Sequence, residues 1–179
     1  MNIDILFLDN ELTDYEQFFD KNQFEEYCET HSFTGKQNQI LSVPPSFSKD
    51  LNPTFLVGTG ENNDDINLYD IGISIGSKIE SDAEINFLNI DDDTNLIIDG
   101  ILYAQYKFDD YKSGDSSSIN TISFKDIEST ENEIKKDSVF WVRDLINTPA
   151  LDKSPEVFID KVNELVDSSM VDVQIYDKK

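Results

Sequence analysis

One cysteine, one histidine and one tryptophan stand in a chain of 179 residues, and 37 acids face only 14 lysines and arginines. Each shortage excludes something. With Cys28 alone there is no internal disulfide, and a reducing compartment suits the sequence. A zinc site built on Cys28 and His31 would need at least two more ligands, which could only be carboxylates, so His31 reads as a packed or surface histidine. A Ser-His-Asp hydrolase would have to use the same His31, and no serine sits in a nucleophile elbow. The formal charge of −23 leaves too few cations to hold a phosphate backbone or an anionic membrane, so neither nucleic acid nor membrane is an expected partner. No basic leader and no long apolar run is present, so the expected location is the cytoplasm.

What remains is 38% apolar and gathered into periodic segments. A chain of this length can bury roughly 70% of its unfolded surface, enough for one domain with a true core. Ile3–Leu8 reads as a buried strand. Residues 13–30 read as helical, with Asn22 as the point of a break. Gln39–Val43 and Thr54–Val57 give two more strands around a Gly35-Lys36 turn and the Pro44-Pro45 stop. Residues 64–79 satisfy two periods. Ile71, Ile73 and Ile75 alternate with small residues as in a strand, while Ile66, Tyr69, Ile73 and Gly76 share a helical face. Glu84–Ile90 is a fourth strand, and a helix follows with Ile97, Ile101, Ala104 and Phe108 at helical spacing. After the polar loop 113–118, Asn120–Phe124 is a fifth strand and Val171–Ile175 an alternating sixth. Strands separated by helices imply a mixed, mostly parallel sheet covered on both faces.

Between the last two strands lies a helix–loop–helix. Ile134, Ser138, Trp141 and Leu145 fall on one helical face, widened by Val142 and Ile146. Pro149 predicts a stop near Asn147, with that asparagine as a left-handed cap. Ser154 then serves as N-cap, Pro155 takes the first helical position, and Glu156 favours the positive helix end. Trp141 and Leu145 are expected core anchors, packed on the sheet. Arg143 and Asp144 are expected to form a surface or interdomain ion-pairing set.

The segment Arg143-Asp144-Leu145-Ile146-Asn147-Thr148-Pro149, with its Ser154-Pro155-Glu156 helix start, resembles the junction segment of the cytosol-type leucine aminopeptidases. Three earlier pieces agree in order. His31-Ser32-Phe33-Thr34-Gly35-Lys36 resembles that family's Asp-Phe-Ser/Thr-Gly-Lys turn, and Phe55-Leu56-Val57-Gly58-Thr59-Gly60 its Val-Leu-Val-Gly-Leu-Gly strand end. Gly100–Ser113 is similar to its Gly-Leu-Leu-Leu-Gly-x-Tyr-Arg-Phe-Asp-x-Tyr-Lys-Ser helix. The resemblance implies an α/β, three-layer αβα fold, macro-domain-like, with about six strands, and it favours the helical reading of residues 64–79, whose glycines would allow close approach to the sheet. It also implies that residues 1–179 form one non-catalytic N-terminal domain of an assembly or regulatory kind. Residues 130–170 would then be the helical junction towards a C-terminal catalytic domain. The family's catalytic Asn-Thr-Asp-Ala-Glu-Gly-Arg segment does not occur here, so the chain alone is expected to be inactive and to carry no catalytic, cofactor or metal residue. For the whole enzyme the resemblance implies two divalent metal ions, zinc or manganese, and a homohexamer. The isolated domain is expected to be a monomer.

Other candidates read more plainly. Asp91-Asp92-Asp93 and Asp64-Asp65 could offer oxygen ligands to a hard cation, but spaced ligands are missing and a solvated helix start is the better reading. Gly58-Thr59-Gly60 could cradle a phosphate, yet Glu61, Asp64 and Asp65 would repel it, and a structural turn is expected. The alternative to an aminopeptidase domain is a free-standing macro-domain-like ligand module; a small complete hydrolase ranks third.

Overall fold

The structure is a computed structural model and describes residues 1–61, 66–89, 94–111, 119–166 and 171–176. The chain divides into two compact units, Met1–Ser138 and Val139–Lys179.

In the first unit, β1 (Asn2–Asp9) is the central strand of five. It pairs in parallel with β3 (Thr54–Gly60) on one side and β4 (Ala83–Phe87) on the other. An edge strand, β2 (Ile40–Val43), runs antiparallel to β3, and β5 (Ile122–Phe124) runs parallel to β4 at the other edge. The sheet order is therefore β2-β3-β1-β4-β5. The side-chain period of two divides β1 between two cores. Ile3, Ile5 and Phe7 join Phe55, Val57, Ile85 and Phe124 beneath α2 (Leu68–Gly76) and α3 (Asn95–Tyr103). Leu6 and Leu8 join Val43 and Leu56 in a second cluster with Phe24 and Cys28 of α1 (Lys21–Thr30) and with Tyr15, Phe19 and Phe33. This is the expected α/β arrangement, a mixed sheet flanked by helices on both faces.

The helices form where the periodicity and caps allow. Asp20 caps α1 by accepting from the Gln23 amide at 3.2 Å, and Asn67 caps α2 by accepting from Asp70. The expected helix over 13–30 is only its second half. Residues before Asp20 form turns, with Leu12 and Asp14 at positive φ, and their aromatic side chains fill the second core. Residues 68–76 resolve as helix, yet the buried face is Ile71, Gly72, Ile75 and Gly76, rather than the face through Tyr69 and Ile73. The glycines approach a helix, not the sheet. A Cβ on Gly72 would stand 2.3 Å from the Ile97 carbonyl oxygen, and one on Gly100 would stand 2.2 Å from that of Tyr69.

The fourth helix, α4 (Thr130–Asn147), contains the boundary between the two units. Its first turns belong to unit one, where the buried Asn132 side chain donates to Asp99 Oδ1 at 2.7 Å and to the Asn95 carbonyl at 3.2 Å. Unit two holds the end of α4 and α5 (Pro155–Leu165). The helix stops at Asn147 as expected, but Asn147 is not left-handed. The Thr148 amide and hydroxyl both donate to the Asp144 carbonyl, and Lys153 Nζ donates to that of Leu145. Ser154 caps α5 at the Val157 amide, with Pro155 in the first turn. The Ser154 hydroxyl, and then the backbone amide of Glu156 itself, hold the Glu156 carboxyl below the usual carboxylate range.

Two expectations fail in this region. Leu145 is buried, but Trp141 is only half-buried and Ile134 is 63% exposed. Residues 171–176 form no strand, and Val171, Val173 and Ile175 are exposed there. Alternation supplies the two faces of a strand but not its hydrogen-bonding partner.

Candidate functional site

The C-terminal ends of β1 and β3 are the place to look for a ligand. The chain leaving β1 leads to α1 on one face of the sheet, and the chain leaving β3 leads to α2 on the other. Such a switch point opens a crevice in many α/β sheets. Here a turn of the same chain, residues 34–39, sits across it. Gly35, at φ +66°, packs so closely that a Cβ would stand 1.8 Å from the Asp9 carbonyl oxygen. The Gly60 amide donates to the Gly35 carbonyl at 2.8 Å, and the Gly58 amide to that of Gln39 at 2.8 Å. Gly58-Thr59-Gly60 is therefore the last part of β3 rather than a turn, and both glycine amides are already committed. That arrangement gives no support to a phosphate cradle of the macro-domain kind.

Within the turn, three donors converge on one oxygen. Gln39 Oε1 accepts from the Thr34 amide at 3.0 Å, the Lys36 amide at 3.1 Å and the Thr34 hydroxyl at 3.3 Å. Gln39 Nε2 donates to the Ser32 carbonyl at 3.3 Å. No sequence pattern marks Gln39, because its partners depend on the positive φ of Gly35 between the two amides.

Asp4 is a second feature that periodicity does not reveal. It is 2% exposed on the central strand and accepts from Asn52 Nδ2 at 3.1 Å and Asn86 Nδ2 at 3.0 Å. Two amide donors satisfy the buried carboxylate, so its role is structural.

The remaining candidates scatter. His31 is exposed, with its ring centroid 4.4 Å from that of Tyr27, and Cys28 is buried, its thiol pushed up to about 11 by desolvation. The described residues include no group of three or more His, Cys, Asp or Glu side chains arranged to hold a metal ion. They therefore offer no donor set that fits a divalent ion. Asp64, Asp65 and Asp91–Asp93 lie outside the described residues. In unit two, Val142, Leu145, Ile146, Pro155 and Phe158 line an apolar groove of about 680 Å³, and Arg143 and Asp144 are half-buried beside it in sequence.

No known protein-family profile matches the chain. Single proteins do. The chain is 27% identical over 199 residues to a probable cytosol aminopeptidase of Rickettsia bellii, covering 96% of this chain and 39% of that protein. The probable cytosol aminopeptidase of Rickettsia rickettsii is 26% identical over 174 residues, covering 80% and 33%. The fold of the bottromycin maturation enzyme BotP superposes with a TM-score of 0.70 at 14% identity, over 96% of this chain and 38% of that one. The cytosol aminopeptidase of Coxiella burnetii gives 0.64 at 20% identity, over 92% and 35%. The chain is thus similar in sequence to part of cytosol aminopeptidases and shares its fold with part of the tomato leucine aminopeptidase, at a TM-score of 0.62 and 14% identity. It spans about two fifths of the length of the Rickettsia bellii aminopeptidase. The aminopeptidase relatives thus imply that this domain belongs to a larger protein. Among the described residues no helix is long and apolar enough to cross a membrane.

Proposed function

We propose that this chain is the non-catalytic N-terminal domain of a leucyl aminopeptidase, a metal-dependent exopeptidase that removes N-terminal residues from peptides in the cytoplasm. One observation carries the reading: nearly the whole chain aligns with cytosol aminopeptidases, yet it accounts for only 39% of such a protein. In this reading two divalent ions, zinc or manganese, are held by the remainder of the enzyme. BotP, of the same fold, has been seen with manganese. When bound, such ions would activate a water and polarise the scissile carbonyl. The domain's contribution is to assembly, with residues 130–170 as the junction towards the catalytic domain and its own copies as neighbours in a homohexamer.

The surface of unit two supports that role. Val142, Ile146, Phe158 and Leu165 are between 45% and 71% exposed, an apolar cost that a covering domain would relieve. The unit also carries five cations against eight acids, a net −3, while unit one carries the other −20 of the total. The apolar junction is thus the less charged part of the chain, where a neighbour can approach with little repulsion. An assay of the purified chain with a leucyl anilide and manganese or zinc tests the reading. No turnover is expected; activity that co-purifies with the chain through several columns would refute it.

A further inference from the structure

The geometry points to an oxyanion-binding nest at Thr34-Gly35-Lys36, held closed by the side chain of Gln39. Two backbone N–H groups one residue apart, on either side of a left-handed glycine, form the concavity in which proteins hold phosphate or carboxylate oxygens. Here the Thr34 and Lys36 amides meet that description, and the Thr34 hydroxyl adds a third donor to the same point. The oxygen now in the nest is the neutral amide oxygen of Gln39, the chain's own stand-in for an anion. Lys36 supplies the second, independent sign. It is an exposed cation with no ion-pair partner among the described residues, in a chain where acids outnumber cations by 23.

The nest is rigid where it matters and loose where it must open. Gly35 is wedged on the Asp9 carbonyl, and the Gly58 and Gly60 amides tie the turn's carbonyls to β3, so the two donor amides are fixed to the sheet. The Gln39 backbone is tied to Lys36 and Gly58, but beyond the nest its side chain is held by the 3.3 Å bond from Nε2 to the Ser32 carbonyl, and rotation of the side chain uncovers the donors without moving the backbone. Its position at the switch point of the sheet is where open α/β folds place ligands. A neutral plug also fits the electrostatics. In so anionic a molecule a permanent carboxylate here would add to the self-repulsion, whereas an amide oxygen satisfies the donors at no charge. The ligand class is a singly exposed oxyanion, a phosphate monoester or a carboxylate.

The test is a titration of the whole chain with inorganic phosphate and, separately, acetate at low ionic strength, followed by the amide proton and nitrogen shifts of Thr34 and Lys36. Removing an internal competitor raises the competent fraction, so Gln39→Ala should tighten binding by about tenfold. Adding Lys36→Gln to that variant should weaken it again. A response to both anions marks a general oxyanion nest, and a response to one assigns phosphate or carboxylate as the ligand. If the two amides of Gln39→Ala move no more than those of the parent, the proposal is wrong. Should Gln39→Ala fail to fold, Gln39→Glu decides. A carboxylate in the nest should titrate below the ordinary glutamate range, and its stabilising effect should be lost only as pH falls through that lowered value. An ordinary titration there would overturn the idea.

Discussion

Asn89 completes the central strand that β4 leaves unfinished: its Oδ1 accepts from the Phe7 amide at 2.9 Å and its Nδ2 donates to the Phe7 carbonyl at 2.6 Å. The last ladder pair between β1 and β4 is Ile5 with Phe87, so Phe7 would otherwise present both backbone groups to an empty position on that side. One side chain supplies the donor and the acceptor of a strand residue. Asn89→Ala removes both, and a buried unsatisfied group costs about 1–3 kcal/mol. Urea unfolding should show a loss in that range. Asn89→Asp should fall between, since the carboxylate still accepts from Phe7 but no longer donates.

A tighter relationship governs the α2–α3 crossing. Gly72 and Gly100 meet where a Cβ on either would lie within 2.3 Å of a carbonyl oxygen across the interface. Gly→Ala inside a helix ordinarily gains up to about 1 kcal/mol in propensity. Overpacking a close-packed contact costs about 1–3 kcal/mol or more. The clash is with backbone, which cannot rotate away, so the packing term wins. Gly100→Ala should lower the melting temperature despite its better propensity. An unchanged or raised melt would mean that the helices sit farther apart.

How much of this was legible beforehand follows the physics of each signal. Period two found the strands of the sheet because each buries at least one face, and Ser154-Pro155 found the start of α5 because capping is local. Residues 68–76 show the limit. Ile71, Ile73 and Ile75 fit two periods, and only the partner helix, with its own glycine, decides which face is buried. Val171–Ile175 fails for a related reason: its alternation is real, but a strand needs a neighbour, and none of the described residues pairs with it. Gln39, Asn89 and Asp4 left no trace in the pattern, since each works through contacts 3 to 82 residues away.

The second core should make the domain sensitive to alkali. Tyr15 is 6% exposed, and burial followed by the hydrogen bond its hydroxyl donates to Glu25 raises its pKa to about 12. Cys28 is raised to about 11 by burial alone. In both cases the folded state holds its proton more tightly than the unfolded chain. Stability is therefore full below the ordinary thiol and phenol values and falls as pH rises through the raised ones. Thermal melts should be flat near neutrality and decline between pH 9 and 12. Tyr15→Phe should remove the upper part of that decline; a slope unchanged in both Tyr15→Phe and Cys28→Ala would assign it elsewhere.

The last prediction separates what holds unit two together from what it offers to a neighbour. Leu145 is 8% exposed while Ile146, the next residue on α4, is 71% exposed. Leu145→Ala should cost on the order of 2–5 kcal/mol, the usual penalty for a truncated buried leucine. Ile146→Glu exchanges one solvent-exposed side chain for another and should change the stability of this chain by roughly 0.5 kcal/mol or less. Arg143→Ala, at a half-buried position two residues before Leu145, should change it by about 1 kcal/mol or less. In a longer protein that contains this chain the order should reverse for assembly. Ile146→Glu places a charge in the middle of the apolar face and should weaken docking or oligomer formation, as read by light scattering, with little change in the melt of the isolated chain. A large loss of stability from Ile146→Glu in the isolated chain would show that the face is already covered, and the assembly role of residues 130–170 would have to be abandoned.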